Sequence, residues 1–184
     1  EVSKFKSLYK AGINRLSLGV QSFDDGALKF LGRKHDANLA RDALSAALEV
    51  FPRTSFDLIY SLPGQSNSSL KKELSQALSY GAKHISAYQL TLETGTPFFY
   101  LAQRGKLKLP RDEVAADQYE IAQDLFYKAG LKSYEISNYA MLGEECRHNL
   151  LYWRSLDWIG VGPGAHGRKT SKKGRIATTQ HRSP

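Results

Sequence analysis

The sequence predicts an α/β fold in which parallel strands alternate with covering helices. Leu16, Leu18 and Val20 alternate with small or polar residues, a period of two that is typical of a strand. The run 56–62 is mostly apolar and is closed by Pro63-Gly64, as expected for a buried parallel strand followed by a turn. Helix-like spacing separates and follows these runs, and this βαβα order favours a parallel sheet or barrel.

The remaining elements of the first hundred residues fit this order. A helix-like stretch covers 4–10, and the segment Ser22 to Asp25 matches a capping box that opens a short helix through 28–31. A longer helix is predicted from about Asp36, another ends at Gly81, and 84–92 forms a third strand. The apolar stripes of these two helices are Leu39, Ala43, Leu44, Ala47 and Leu48, and Leu70, Leu74, Ala77 and Leu78.

The rhythm changes after Gly95-Thr96-Pro97. A linker is predicted through Pro110, followed by a helix over about 112–129 and a short strand at 134–136. The inward-facing residues of that helix are Val114, Ile121, Ala122, Leu125 and Phe126.

Composition limits the function classes. With 184 residues and 41% hydrophobic residues, the chain can bury the core of one ordinary domain, and no apolar run is long enough to span a bilayer. Six basic and no acidic residues lie in 168–184, so most of the net charge of +8 belongs to this tail. A nucleic-acid-binding module is therefore an alternative that depends on the tail alone.

A single cysteine, Cys146, excludes an intrachain disulfide framework and a self-contained iron–sulfur site, and it fits a reducing, cytoplasmic location. Hydrolase and zinc sites have little support, because no HExxH pair or paired Cys-x-x-Cys is present. The chain opens on Glu1, its only methionine is Met141, and it stops within the basic segment, so we expect it to be part of a larger protein.

Ligands of parallel α/β folds bind at the carboxyl ends of the strands, which makes Gln21, Ser61, Gly64 and the region 90–95 candidates. Gln21 ends the first strand, where its amide could bind a ligand or cap the following turn. Asp57 interrupts an apolar run, so its carboxylate requires a partner, either a cofactor or an arginine such as Arg33. Arg33 itself follows Gly32 just after a helix and could bind a carboxylate or form a surface salt bridge.

The segment Cys146 to Trp153 is dense in groups that can meet a flat metal-centred ring such as heme. His148 and Tyr152 are four residues apart, so a helix would place both on one face. An imidazole can ligate iron and aromatic rings can stack on a porphyrin. The alternative is a helix that buries Leu150, Tyr152 and Trp153 around a hydrogen-bonded His148. The segment 160–167 contains four glycines, which allow close backbone approach to a ligand.

These segments resemble the radical S-adenosylmethionine (SAM) family around oxygen-independent coproporphyrinogen III oxidase, and most closely its heme-chaperone branch. The resemblance runs in family order over nearly the whole chain. The matching segments are Gly12–Phe23, Phe56–Gln65, His84–Glu93, Tyr134–Ala140, Glu145–Trp153 and Gly160–His166.

The resemblance implies a partial (β/α) barrel whose later strands and helices occupy 1–97, followed by a truncated extension over 98–184 that carries the HNxxYW motif. It implies that Gln21, Arg33 and Asp57 bind SAM, and that His148, Asn149, Tyr152 and Trp153 bind heme. Ser61 stands where many relatives have glycine. The cysteines that hold the family's 4Fe–4S cluster lie upstream of Glu1, so this chain by itself is expected to be inactive.

The resemblance also implies a function. The leading hypothesis is a cytoplasmic heme chaperone that hands heme to acceptor proteins, with a homodimer as one option for its assembly. The alternative is the oxidase itself, which decarboxylates propionate side chains by radical chemistry.

Overall fold

A five-stranded mixed sheet organises most of the chain in the computed structural model, which describes residues 2–182. The strands are β1 (Arg15–Gln21), β2 (Arg53–Tyr60), β3 (His84–Gln89), β4 (Lys132–Ser133) and β5 (Asn138–Ala140), in the order β1-β2-β3-β5-β4. The first three strands are mutually parallel, and β5 pairs antiparallel with both β3 and β4. The parallel βαβα arrangement predicted from the sequence is confirmed.

Six helices accompany the sheet. They are α1 (Phe5–Lys10, after a 3-10 turn at Val2–Lys4), α2 (Asp25–Phe30), α3 (Ala37–Val50), α4 (Asn67–Ser79), α5 (Pro97–Gln103) and α6 (Asp112–Lys128). The side chains of Asp36 and Ser66 cap α3 and α4 by accepting from backbone N–H groups, and α3 begins where the sequence predicts. No helix within residues 2–182 combines the length and the apolar character needed to cross a membrane.

The main core lies between one face of the sheet and helices α3, α4 and α6. Leu44, Leu70 and Phe126, one from each helix, are completely buried against Phe56 and Ile85 of the central strands. All three helices cover the same face of the sheet. The opposite face is therefore not covered by these helices and carries a different set of side chains.

Four local predictions are wrong in detail. Leu39, predicted in the apolar stripe, is 53% exposed because it lies on the outer side of α3. The cap of α2 is Asp24, which accepts from the N–H of Ala27, whereas Ser22 lies outside the helix. Residues 134–136 form the bend between β4 and β5 instead of a strand. The predicted linker contains α5, whose start is set by the Thr96 cap and Pro97.

The described residues fall into two compact units, 2–144 and 145–182. The second unit contains helix α7 (Arg147–Trp153) and the antiparallel hairpin of β6 (His166–Ser171) and β7 (Gly174–Thr179). The predicted boundary after residue 97 concerns the extent of the family's barrel core and stays a prediction.

The glycine-rich segment 160–167 packs backbone on backbone in the second unit. A Cβ on Gly160 would lie 2.4 Å from the carbonyl oxygen of His166, and one on Gly167 would lie 3.0 Å from the carbonyl oxygen of Trp158. The close approach that these glycines permit is therefore made by the chain itself.

Candidate functional site

A row of polar side chains crosses the face of the sheet that the helices leave free. Ser17 on β1 donates to Oδ1 of Asp57 on β2 at 3.4 Å, and Asp57 lies opposite Ser86 on β3. The Ser86 hydroxyl donates to Oδ1 of Asn138 on β5 at 2.7 Å. This face of the sheet is thus built for polar contacts, in contrast to the apolar face beneath the helices.

Gln21 reaches the same face from the end of β1. A bulge between Leu18 and Gln21 shifts the pairing with β2, and Gln21 adopts a φ of 70°. Its amide folds back over Gly19, because a Cβ built there would lie 2.6 Å from the Gln21 Nε2 atom. Gln21 is 8% exposed, and its amide forms no hydrogen bond with any residue in 2–182.

Other side chains hold the turn after Gln21. Glu73 of α4 accepts hydrogen bonds from the Ser22 hydroxyl, from the N–H of Phe23 at 2.9 Å and from Nε2 of Gln65 at 3.2 Å. Ser22 also accepts from the N–H of Asp24. The turn-capping role considered for Gln21 is therefore filled by Glu73 and Ser22, and the Gln21 amide remains available to a ligand. Only the fold reveals Glu73, because it lies far from Gln21 in the sequence.

Asp57 and Arg33 lie close enough for their charges to interact. Burial raises the pKa of the Asp57 carboxyl above its usual value, and its polar contacts with Ser86 and Ser17 together with the charge of Arg33 oppose this rise. Asp57 and Arg33 form no salt bridge, and Arg33 is exposed. Of the two partners considered for Asp57, a structural arginine contact is therefore not the one formed.

A second buried polar residue, Ser61, lies directly after the end of β2. Ser61 has a φ of 58° and is 4% exposed. Its hydroxyl donates to Oε1 of Gln118, and Gln118 donates to the carbonyl oxygen of Gln65 at 2.9 Å. The loop that follows β2 is thereby fixed to α6.

A cleft of about 620 Å³ lies beside these loops, between α2 and α4. Phe23, Phe30 and Pro63 form part of its lining, which also carries charged side chains of both signs: Arg41, Lys72, Asp24 and Glu73. None of Gln21, Arg33 and Asp57 lines this cleft. The polar face of the sheet and the cleft are therefore separate features of the first unit.

Helix α7 places its aromatic residues on the surface of the second unit. The rings of His148 and Tyr152 meet edge to face with centroids 4.7 Å apart, as their spacing predicts. Tyr152 is 45% exposed, Trp153 is 54% exposed, and Asn149 is half-buried. No residue of α7 is buried, so the alternative of a core helix around His148 is wrong.

The aromatic contacts continue from α7 into the following segment. Tyr152 packs against Trp158 with centroids 4.4 Å apart, and the indole N–H of Trp158 donates to the carbonyl oxygen of His166 at 3.1 Å. The guanidinium groups of Arg168 and Arg175 lie 5.7 and 5.5 Å from the centroid of the Trp158 ring.

Residues 2–182 contain no group of three or more His, Cys, Asp or Glu side chains arranged to hold a metal ion. Cys146, at the start of α7, is the chain's single cysteine. A 4Fe–4S cluster needs several thiolates, so this chain does not supply the ligands of one.

Comparison with known proteins places the first unit in a family. Residues 2–77 match the sequence model of the Radical SAM superfamily. The chain is 43% identical over 165 residues to heme chaperone HemW of Bacillus subtilis, a match that covers 89% of this chain and 44% of the relative. HemW of Synechocystis is 47% identical over 155 residues, covering 84% and 38%.

A vertebrate relative is similar to the same extent. The mitochondrial radical S-adenosyl methionine domain-containing protein 1 of Danio rerio is 44% identical over 167 residues, covering 90% of this chain and 38% of the relative. The chain thus spans less than half the length of these curated relatives.

The fold has a counterpart among solved structures. Coproporphyrinogen III oxidase (HemN) from Escherichia coli superimposes with a TM-score of 0.71 at 23% identity, over 91% of this chain and 41% of that one. At this identity the likeness concerns the fold. The family match covers β1 and β2, and the identity to the relatives extends over most of this chain. Together they lead to one conclusion: the chain belongs to the radical SAM superfamily.

Proposed function

We propose that the intact protein containing this chain is a heme chaperone, which binds heme on helix α7 and passes it to acceptor proteins. The observation that carries the proposal is the exposed His148, whose ring is set edge-on against Tyr152 on the same helix face. The relatives named heme chaperone HemW support it, because they match this chain across the HNxxYW motif at 43 to 47% identity.

The chemistry of α7 suits a heme. Neither ring nitrogen of His148 is hydrogen-bonded to a described residue, so a nitrogen lone pair is available to an iron. Tyr152 and Trp153 expose aromatic surface that can pack against a porphyrin, and Asn149 can orient the imidazole or a ring substituent. Aromatic surface left in water costs free energy, which binding of a flat apolar ring would recover.

Membership of the superfamily implies S-adenosylmethionine and a 4Fe–4S cluster as cofactors of the intact protein. We propose that Gln21, Arg33 and Asp57 hold the S-adenosylmethionine. The buried Gln21 amide without a protein partner can hydrogen-bond the adenosyl or amino-acid part, Asp57 can accept from a hydroxyl or ammonium group, and Arg33 can bind the carboxylate. When bound to the cluster, S-adenosylmethionine supplies radical chemistry in this superfamily.

Two further parts of the proposal concern the setting. A reducing compartment such as the cytoplasm suits a chain with one cysteine and partner domains that carry an oxygen-sensitive cluster. Delivery of heme to acceptor proteins and assembly into a homodimer are also parts of this proposal. The rival function, oxygen-independent coproporphyrinogen III oxidase, has support only from a neighbour that shares the fold.

Heme titration of the intact protein tests the proposal. We expect His148→Ala to change the Soret band and to weaken hemin binding by roughly tenfold or more, since a direct ligand is lost. The matched control is His181→Ala, which removes another exposed histidine of the second unit and should leave both unchanged.

An unchanged Soret band and affinity in His148→Ala would refute the iron-binding role. Conversion of coproporphyrinogen III to its decarboxylated product by the cluster-loaded protein would favour the oxidase over the chaperone. We expect no such product.

A further inference from the structure

We propose that Arg168 and Arg175, held beside Trp158 by the β6–β7 hairpin, bind the carboxylate groups of the heme whose ring packs on helix α7. The inference deepens the proposed function and rests on it. It assigns a ligand-recognition role to two residues outside the HNxxYW motif.

A continuous path of ring contacts joins the motif to the two arginines. His148 meets Tyr152, and Tyr152 meets Trp158, with centroid distances of 4.7 and 4.4 Å. Both guanidinium groups then lie within 5.7 Å of the Trp158 ring centroid. A ligand that covers the His148–Tyr152 surface therefore extends toward two positive charges.

The hairpin holds the arginines in place without consuming their donors. Arg168 donates from Nη1 to the carbonyl oxygen of Gly167 at 2.8 Å, and Arg175 donates from Nη2 to that of Leu156 at 2.7 Å. A guanidinium has five N–H donors, so each arginine keeps several for a ligand. Neither arginine forms a salt bridge with a described residue.

The local charge balance favours an anion. The second unit contains eight Lys or Arg residues and two acidic residues, Glu145 and Asp157. The oxygens of Asp157 accept from the N–H of Thr170 at 2.8 Å and from the Thr170 hydroxyl at 2.7 Å, and its negative charge interacts with Arg175 and Lys169. Two acidic residues offset only part of the charge of eight basic ones, so the second unit keeps an excess of positive charge.

Heme has the matching chemistry, because it combines an apolar aromatic ring with two propionate carboxylates on one edge. Imidazole and aromatic contacts alone do not distinguish a porphyrin with free carboxylates from one in which they are esterified. Guanidinium groups make that distinction, since they form charge-assisted and often bidentate hydrogen bonds with carboxylates. The two arginines would therefore determine both ligand selectivity and the direction in which the ring lies on α7.

The test compares two ligands, hemin and its dimethyl ester, in the intact protein. We expect the wild type to prefer hemin by roughly tenfold or more, the worth of one or two charge-assisted hydrogen bonds. Arg168→Ala combined with Arg175→Ala should abolish this preference while His148 still gives its Soret signature. Arg168→Lys with Arg175→Lys should keep part of it, because the charge remains.

The matched control is Lys172→Ala with Lys173→Ala, which removes the same charge from the turn of the same hairpin, away from Trp158. It should keep the preference for hemin. A control that loses the preference equally would show general attraction to a basic surface and overturn the assignment.

Two further outcomes would overturn the inference: a wild type without preference, and an Arg168→Ala/Arg175→Ala variant that keeps the preference. If that variant keeps the preference while it loses affinity for both ligands equally, the arginines only support Trp158. Failure of the proposed function looks different: the wild type would bind neither ligand, or His148→Ala would keep the wild-type spectrum.

Discussion

The hydroxyl group of Ser61 donates a 2.7 Å hydrogen bond to Oε1 of Gln118, and this bond joins the end of β2 to the fully buried side of α6. Ser61 holds a left-handed backbone conformation with a φ of 58°. The left-handed region favours glycine, because a Cβ is disfavoured in that conformation. The hydrogen bond offsets the backbone cost of a serine here.

Substitutions at Ser61 should separate these two effects. Ser61→Ala keeps the strained backbone and leaves Gln118 Oε1 without its partner, so we expect a loss of about 2 kcal/mol in the free energy of unfolding. Ser61→Gly also loses the bond but relieves the backbone, and it should be about 1 kcal/mol more stable than Ser61→Ala. Urea denaturation measures both. A Ser61→Gly variant less stable than Ser61→Ala would contradict this account.

Substitution of Gly19 should weaken ligand binding indirectly, by displacing the side chain of Gln21. A Cβ at position 19 would lie 2.6 Å from the Gln21 amide nitrogen, which is the mobile end of a side chain and can move aside. Gly19→Ala should therefore change the free energy of unfolding by less than about 1 kcal/mol, while it weakens binding of S-adenosylmethionine to the cluster-loaded intact protein. Calorimetric titration gives the affinity.

Gln21→Ala supplies the control for this mechanism. If Gly19→Ala acts by displacing the Gln21 amide, the double variant should bind no more weakly than Gln21→Ala alone. Additive losses in affinity would show that Gly19 acts independently.

The ionised carboxylate of Asp57 should lower the free energy of unfolding and strengthen S-adenosylmethionine binding. Burial raises the pKa of its carboxyl in the folded state, so ionisation favours unfolding. The stability linked to this group is present below the ordinary carboxyl range and is lost as the pH rises through the raised pKa. Asp57→Asn should remove this loss, which makes the variant at least as stable as the wild type at pH 7, and should weaken S-adenosylmethionine binding.

Urea denaturation between pH 4 and pH 7 measures the stability part of this prediction, with Asp42→Asn on the exposed side of α3 as the matched control. A marked destabilisation of Asp57→Asn at pH 7 would show that the ionised carboxylate is instead a structural partner.

His84 should make the fold sensitive to acid. It is 3% exposed, and burial, with smaller contributions from the charges of Arg15 and Arg53, lowers the pKa of its imidazole to about 3. The unfolded chain takes up a proton near pH 6.5, so the stability linked to His84 is present above that pH and is lost as the pH falls toward 3.

Replacement with a neutral side chain tests this pH dependence. His84→Gln keeps a polar group for the Tyr134 hydroxyl, which lies 2.8 Å from His84 Nε2, but does not titrate. The free energy of unfolding should fall from pH 7 to pH 4.5 more steeply in the wild type than in the variant. Parallel curves would rule out His84 as the source.

Much of the architecture follows from local sequence signals. The caps at Asp36 and Ser66 and the apolar stripes behind them fix where α3 and α4 begin, because capping and periodicity act within a few residues. The prediction for 134–136 is wrong because β4 and β5 are too short to leave a pattern, and their pairing depends on β3.

For the candidate sites, the sequence by itself determined which residue types are present and their order, including Gln21, Asp57 and the face shared by His148 and Tyr152. Only the tertiary structure decided that Glu73, and not Gln21, holds the turn after β1, and that Arg168 and Arg175 lie beside Trp158. The physical reason is range: periodicity and capping depend on neighbours a few residues apart, whereas these contacts join residues that only the folded chain brings together.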